Sequence, residues 1–87
     1  MISSLEDKGW EMDDPSHLLR IGDDIVIGFS HSDYPFCHLV LEIRLYIHGA
    51  SVSLQLDSEG DSCIWYDEKI DLDVIMETVW KWSKESN

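Results

Sequence analysis

Between His38 and His48 the chain alternates strictly: Leu39, Leu41, Ile43, Leu45 and Ile47 are interleaved with His38, Val40, Glu42, Arg44, Tyr46 and His48. A period of two is the signature of a β-strand with one dry face and one wetter face, and it is incompatible with a helix. Gly49 and Ala50 follow, then Ser51–Leu56, where Val52, Leu54 and Leu56 again alternate with polar residues. With Gly49-Ala50 as a two-residue turn, a glycine leads the loop as a type II′ hairpin prefers. That turn predicts His48 opposite Ser51, Ile47 opposite Val52, Leu45 opposite Leu54 and Ile43 opposite Leu56. A slip by one residue would oppose apolar to polar along the whole hairpin.

The flanking segments extend this pattern. The polar stretch 57–62 contains Gly60 and leads into a third strand, Cys63–Tyr66. A tip at Glu59-Gly60 places Cys63 against Leu56 and Trp65 against Leu54. Upstream, Leu18–Ile21 and Ile25–Phe29 flank Gly22-Asp23-Asp24, which reads as a further hairpin with Leu19 and Ile21 beside Ile27 and Ile25. Trp10–Met12 reads as a short strand, and Asp13-Asp14-Pro15-Ser16 as a turn.

Two helices complete the architecture. Asp71 is a good N-cap and Ile70 can staple onto Ile75. Leu72, Ile75, Met76 and Val79 then fall on one stripe at 3.6-residue spacing. Trp80 and Trp82 lie on either side of that stripe, where they seal the helix edges or serve as interface anchors. Near the N-terminus, Ser3 or Ser4 can cap a short helix that runs to Lys8 and closes on Gly9. The expected fold is α+β: an antiparallel sheet of about five hairpin-connected strands, with the C-terminal helix packed on one face and a short N-terminal helix, all in a single domain over residues 1–87.

Charge is the second constraint. Eighteen Asp and Glu face six Lys and Arg in 87 residues, a formal net charge of −12. Such a chain is repelled by phosphate backbones and anionic lipid, which argues against direct binding to nucleic acid or membrane and favours a cationic partner: a basic protein surface, a metal ion or a cationic ligand. The acids avoid the central strands: residues 57–77 alone carry eight acids and one base. Asp57, Glu59 and Asp61 are spaced two apart, as are Asp71 and Asp73. In an extended chain such pairs repeat roughly every 6.5–7 Å, about twice the 3.4 Å phosphate rise of a DNA strand. A carboxylate rim of this kind could imitate a phosphate track. Asp57, Glu59, Asp61, Asp67, Glu68, Asp71 and Asp73 are the candidate partner-binding residues, with Trp65 or Tyr66 as an apolar anchor.

Other chemistries fit poorly. Asp57, Glu59 and Asp61 could open a calcium loop ending at Glu68, but Ser62 stands where that loop needs glycine. The histidines 17, 31, 38 and 48 and the cysteines 37 and 63 show no metal-ligand spacing. No nucleophile motif or glycine-rich phosphate loop is present. The expectation is a non-enzymatic protein without metal or cofactor. Neither a signal peptide nor an apolar span is recognisable, and both cysteines fall in expected strands as buried thiols, which points to the cytoplasm.

In size and acidity the chain is similar to small acidic inhibitors: phage-encoded anti-CRISPR and other anti-defence proteins, DNA-mimic inhibitors and bacteriocin immunity proteins. The resemblance is one of class, with no motif carried over. It implies inhibition of a basic, nucleic-acid-handling protein. The competing expectation is an assembly module that oligomerises through its sheet edge or through the polar face of His38, Val40, Glu42, Arg44, Tyr46 and His48, a face that the N-terminal segment with Trp10 could instead cover.

Overall fold

The computed structural model describes residues 2–13, 19–21 and 24–85. The expected turn through Asp14, Pro15 and Ser16, the loop residues Gly22 and Asp23, and Leu18 and His17 lie outside the described residues. In chain order the elements are α1 (Ile2–Asp7), β1 (Trp10–Met12), β2 (Leu19–Ile21), β3 (Asp24–His31), β4 (His38–Tyr46), β5 (Gly49–Ser58), β6 (Asp61–Tyr66), a 3₁₀ turn (Asp67–Lys69) and α2 (Leu72–Glu85). The strands form one antiparallel sheet in the order β1-β3-β4-β5-β6. β2 shares the outer flank of β3 with β1, so six strands fill five positions.

The alternation that begins at His38 builds the centre of this sheet. Leu39, Leu41, Leu54 and Leu56 are buried, and each leucine of β4 stands opposite one of β5: Leu41 with Leu54, Leu39 with Leu56. The register differs from expectation. Tyr46 pairs with Gly49, so the turn is Ile47-His48 and not Gly49-Ala50. Ile43 meets Val52 in place of Leu56, and Leu45 meets Ala50 in place of Leu54. The two registers differ by two residues in each strand. An even shift keeps every apolar residue on the core face, so alternation cannot distinguish them. In the observed turn Ile47 and His48 keep negative φ, and the positive φ falls on Gly49 (φ 151), just after it.

The β5–β6 hairpin follows the expected register, with Leu56 opposite Cys63 and Leu54 opposite Trp65. Its tip residue Gly60 has φ 98, a conformation glycine adopts without steric cost. The β2–β3 hairpin does not follow expectation. Leu19 pairs with Val26 and Arg20 with Ile25, one residue out from the expected alignment of Leu19 with Ile27 and Ile21 with Ile25.

Both helices serve the same face of the sheet. Ile75 and Val79 of α2 are buried, with Leu72, Met76 and Trp82 packed at the margin of the core. Asp71 caps α2 as expected: its Oδ1 accepts from the backbone N–H of Asp73 at 3.0 Å and of Val74 at 3.4 Å. Leu5 of α1 is buried in the same core, and Lys8 Nζ donates to Asp73 Oδ1 at 2.8 Å, tying α1 to the start of α2. α1 begins at Ile2, so Ser3 and Ser4 lie inside the helix and do not cap it. Gly9 (φ 94) closes it as expected, its N–H bonded to Glu6 O.

Trp10 is buried on the helix side, its Nε1–H donating to Met76 Sδ at 3.2 Å. It therefore does not cover the polar sheet face. Pairing explains the choice: Trp10 stands opposite His31, whose parity puts it with Phe29 and Ile27 on the core face. Cys37 is buried but lies in the β3–β4 connection and not in a strand; Cys63 is in β6 and half-buried. Among the described residues no helix is long and apolar enough to cross a membrane.

Candidate functional site

The acids of residues 57–77 do not form one continuous rim. β6 is an edge strand, and it separates them into two groups, one at either end. Asp57 near the end of β5, Glu59 in the turn and Asp61 at the start of β6 form one group; Asp67, Glu68, Asp71 and Asp73 follow the last residue of β6. The strand between them spans about 17 Å at the usual rise. Asp57, Glu59 and Asp61 also fold back through the turn at Glu59-Gly60, so the extended track of carboxylates expected from their spacing is not formed.

Four of the seven candidates are occupied within the fold. Asp57 Oδ1 accepts from Gln55 Nε2 at 2.9 Å. Asp67 Oδ1 accepts from the backbone N–H of Val52 at 2.9 Å. Asp71 caps α2 and Asp73 pairs with Lys8. The Lys8 ammonium beside it holds the Asp73 carboxyl below the usual carboxylate range. Glu59, Asp61 and Glu68 are exposed and hold no partner among the described residues. The two aromatic candidates divide by strand parity. Trp65 faces the helix and packs against the core; Tyr66 points to the other face and is 59% exposed.

Tertiary structure adds what the spacing could not show. α2 runs back along the sheet, so that its last turn reaches the β5–β6 turn. There Phe36 and Trp82, together with Ser58, line an open recess bounded by three carboxylates: Glu59, Asp61 and Glu85. Phe36 comes from the β3–β4 connection, Glu59 and Asp61 from the hairpin, Trp82 and Glu85 from α2. The sequence signal for Phe36 and Glu85 was absent, because their contribution depends on the return path of α2 and on the β3–β4 connection. Trp82 was visible as a helix-edge residue or interface anchor, with nothing in the sequence to place it beside Glu59 and Asp61.

An aromatic wall beside clustered carboxylates is suited to a cationic side chain. The ring faces attract a guanidinium or ammonium, and the carboxylates complete its ion pairing. The protein already shows the first of these contacts on its own surface, where Lys84 Nζ lies 3.9 Å over the ring of Trp80.

The polar sheet face is organised around a close approach. Asp13 Oδ2 contacts His38 Nε2 at 2.9 Å, and Asp13 Oδ1 accepts from Ser30 Oγ at 2.9 Å. This contact needs Gly28: a Cβ there would lie 2.6 Å from Asp13 Oδ2. His31 is fixed on the opposite face. Its Nδ1 accepts from the Asp33 N–H at 3.1 Å, so Nε2 carries the proton and donates to Lys8 O at 2.9 Å. Both histidines thus serve structural bonds. Among the described residues no three His, Cys, Asp or Glu are arranged to hold a metal ion.

Comparison with protein-family models, with curated proteins and with solved structures finds no match to this chain. The functional reading rests on the molecule itself.

Proposed function

We propose that this protein is a non-enzymatic binding protein that inhibits a basic, nucleic-acid-handling protein by capturing one of its Arg or Lys side chains at the end of the sheet. The observation that carries this reading is the convergence of Glu59, Asp61 and Glu85 on the recess lined by Phe36 and Trp82. A residue that would otherwise neutralise a phosphate is held there by ring faces and carboxylates. The net charge of −12 steers a cationic surface towards it and makes association salt-sensitive.

The alternative, assembly through the open edge of β6, is less well supported. Two copies of β6 pairing antiparallel would bring Asp61 of one against Asp67 and Glu68 of the other. Like charges at both ends of an edge strand are a device against such pairing.

The test is binding to an arginine-rich peptide, followed by calorimetry and by Trp82 fluorescence. Wild-type protein binds in low salt and loses affinity as salt rises, and the Trp82 signal disappears in Trp82→Phe. Reversal of Glu59, Asp61 and Glu85 to lysine abolishes binding while the circular dichroism spectrum is unchanged, since all three are exposed. Undiminished affinity of the triple variant in low salt would refute the reading.

A further inference from the structure

The β4–β5 hairpin outruns its neighbours. On one side β3 starts at Asp24, opposite Arg44; on the other β6 ends at Tyr66, opposite Ser53. Residues 45–50 therefore stand beyond the rest of the sheet as a two-stranded projection of about 10 Å. Its end is apolar: Leu45 is 43% exposed, Tyr46 61% and Ile47, at the turn itself, 96%. The stretch from Ile43 to Leu56 has no carboxylate, in a chain with eighteen. An isoleucine that remains almost wholly in water contributes nothing to the core, and a turn of this kind is ordinarily polar.

The base of the projection is different. Asp24 flanks it on the β3 side, and Asp67 and Glu68 on the β6 side, where Asp67 is bonded to Val52. Arg44 is engaged with Glu42 at 2.8 Å, so the collar around the apolar tip is negative on balance. The recess at Glu59 and Asp61 lies near the far end of β5, about 30 Å away along the strand, so the two surfaces are separate.

We propose that the hairpin tip is a docking element in which Ile47, supported by Leu45 and Tyr46, inserts into an apolar cleft of a protein partner whose rim carries lysine or arginine. Charge complementarity selects this occupant. A second copy, itself carrying a net charge of −12, is repelled as a whole and offers the collar no basic rim. An anionic bilayer would meet the same repulsion. A basic-rimmed cleft satisfies tip and collar together, in the arrangement of a buried hot spot inside a charged rim.

Ile47→Ser and Ile47→Leu test this without risk to folding, because Ile47 touches no core. Proteins retained by the immobilised wild-type chain are compared with those retained by each variant and by an Asp24→Lys, Glu68→Lys double variant. The retained protein is then purified and titrated by calorimetry. The expected result is one protein whose affinity falls at least about tenfold with Ile47→Ser, is kept by Ile47→Leu and falls with the collar reversal. Retention of every bound protein by Ile47→Ser overturns the proposal, and it leaves the recess untouched because that site is read with the arginine-rich peptide. So does a partner that needs Ile47 yet ignores the collar. A concentration-dependent dimer in sedimentation that Ile47→Ser dissolves, or Ile47-dependent binding to phosphatidylcholine vesicles, overturns it in favour of a second copy or of lipid.

Discussion

Asp67 holds the backbone N–H of Val52 at 2.9 Å, one residue beyond the last pair of the β5–β6 ladder. The side chain of Asp67 thus occupies the place where a further residue of β6 would have bonded to β5. Asp67 also has φ 45, the one positive φ outside glycine among the described residues. Asp and Asn adopt that region more readily than other side chains. An acid that sequence spacing offered as a partner contact therefore terminates a strand. Asp67→Asn keeps both the acceptor and the backbone preference and should leave stability unchanged. Asp67→Ala loses both and should cost about 1–2 kcal/mol. Urea denaturation of the pair separates the local role from the charge: equal losses for Asn and Ala would mean that charge, and not the bond, is what matters.

Gly9 and Gly60 offer a controlled comparison. Both have positive φ, 94 and 98. A Cβ at Gly60 would meet nothing within 4 Å, whereas at Gly9 it would lie 2.5 Å from His31 Nε2. That nitrogen bonds to Lys8 O, and the His31 ring stands edge-on to Trp10 at 5.1 Å. Gly60→Ala should cost about 1 kcal/mol from backbone strain alone. Gly9→Ala adds displacement of His31 from its bonds and from Trp10, a further 1–3 kcal/mol or so by the measure of overpacked cores. Chemical denaturation followed by tryptophan fluorescence reads both, and similar midpoints for the two variants would contradict the packing of α1 against His31.

How much of this was legible in the sequence follows from which interactions are local. Period-two alternation gave the faces of β4, β5 and β6 but not the alignment of β2, which pairs one residue out, and Asp71 gave the start of α2, because each legible feature depends on neighbours in the chain. The β5–β6 register was also legible, since Gly60 marks its tip and Leu56 and Leu54 have clear partners. The β4–β5 register was not, because two even-spaced alignments bury the same leucines and a glycine after the turn resembles a glycine within it. At the recess, Glu59 and Asp61 could be chosen on charge. Phe36 and Glu85 could not, and Trp82 was legible as an anchor but not at this place, because only the β3–β4 connection and the path of α2 over the sheet bring them there.

The register can be tested directly. In the observed hairpin Leu45 stands opposite Ala50. Directly opposed residues have Cβ atoms about 4.5–5.5 Å apart, close to what a disulfide spans. In the register set by a Gly49-Ala50 turn, Leu45 would oppose Leu54, leaving position 50 about 13 Å away along the strand. A Leu45→Cys, Ala50→Cys variant should therefore cross-link under mild oxidation, detected as the loss of two thiols by mass spectrometry after alkylation. Two thiols that remain alkylatable at 45 and 50 would restore the alternative turn and remove Ile47 from the tip.

Cys37 provides a pH-dependent signature of the core. It is 3% exposed, and burial raises its thiol from the usual 9.0 to about 11, because the thiolate would lose its hydration. The native thiol is thus protonated at neutral pH and slow to alkylate, while Cys63, half-buried on the edge strand, is accessible to reagent. For stability the sign is fixed by the direction of the shift. The unfolded chain releases the Cys37 proton near pH 9 and the folded chain only near 11, so between these values the unfolded state binds fewer protons and folding weakens as pH rises. Below pH 9 both states hold the proton and the contribution is constant. Lysine and tyrosine also titrate in that window, so the informative quantity is the difference between wild type and Cys37→Ala. The stability of wild type should fall more steeply from pH 9 to 11 than that of the variant, measured by urea denaturation at each pH. Parallel curves would show that the Cys37 thiol reaches water in the folded state and that the β3–β4 connection does not seal this end of the core.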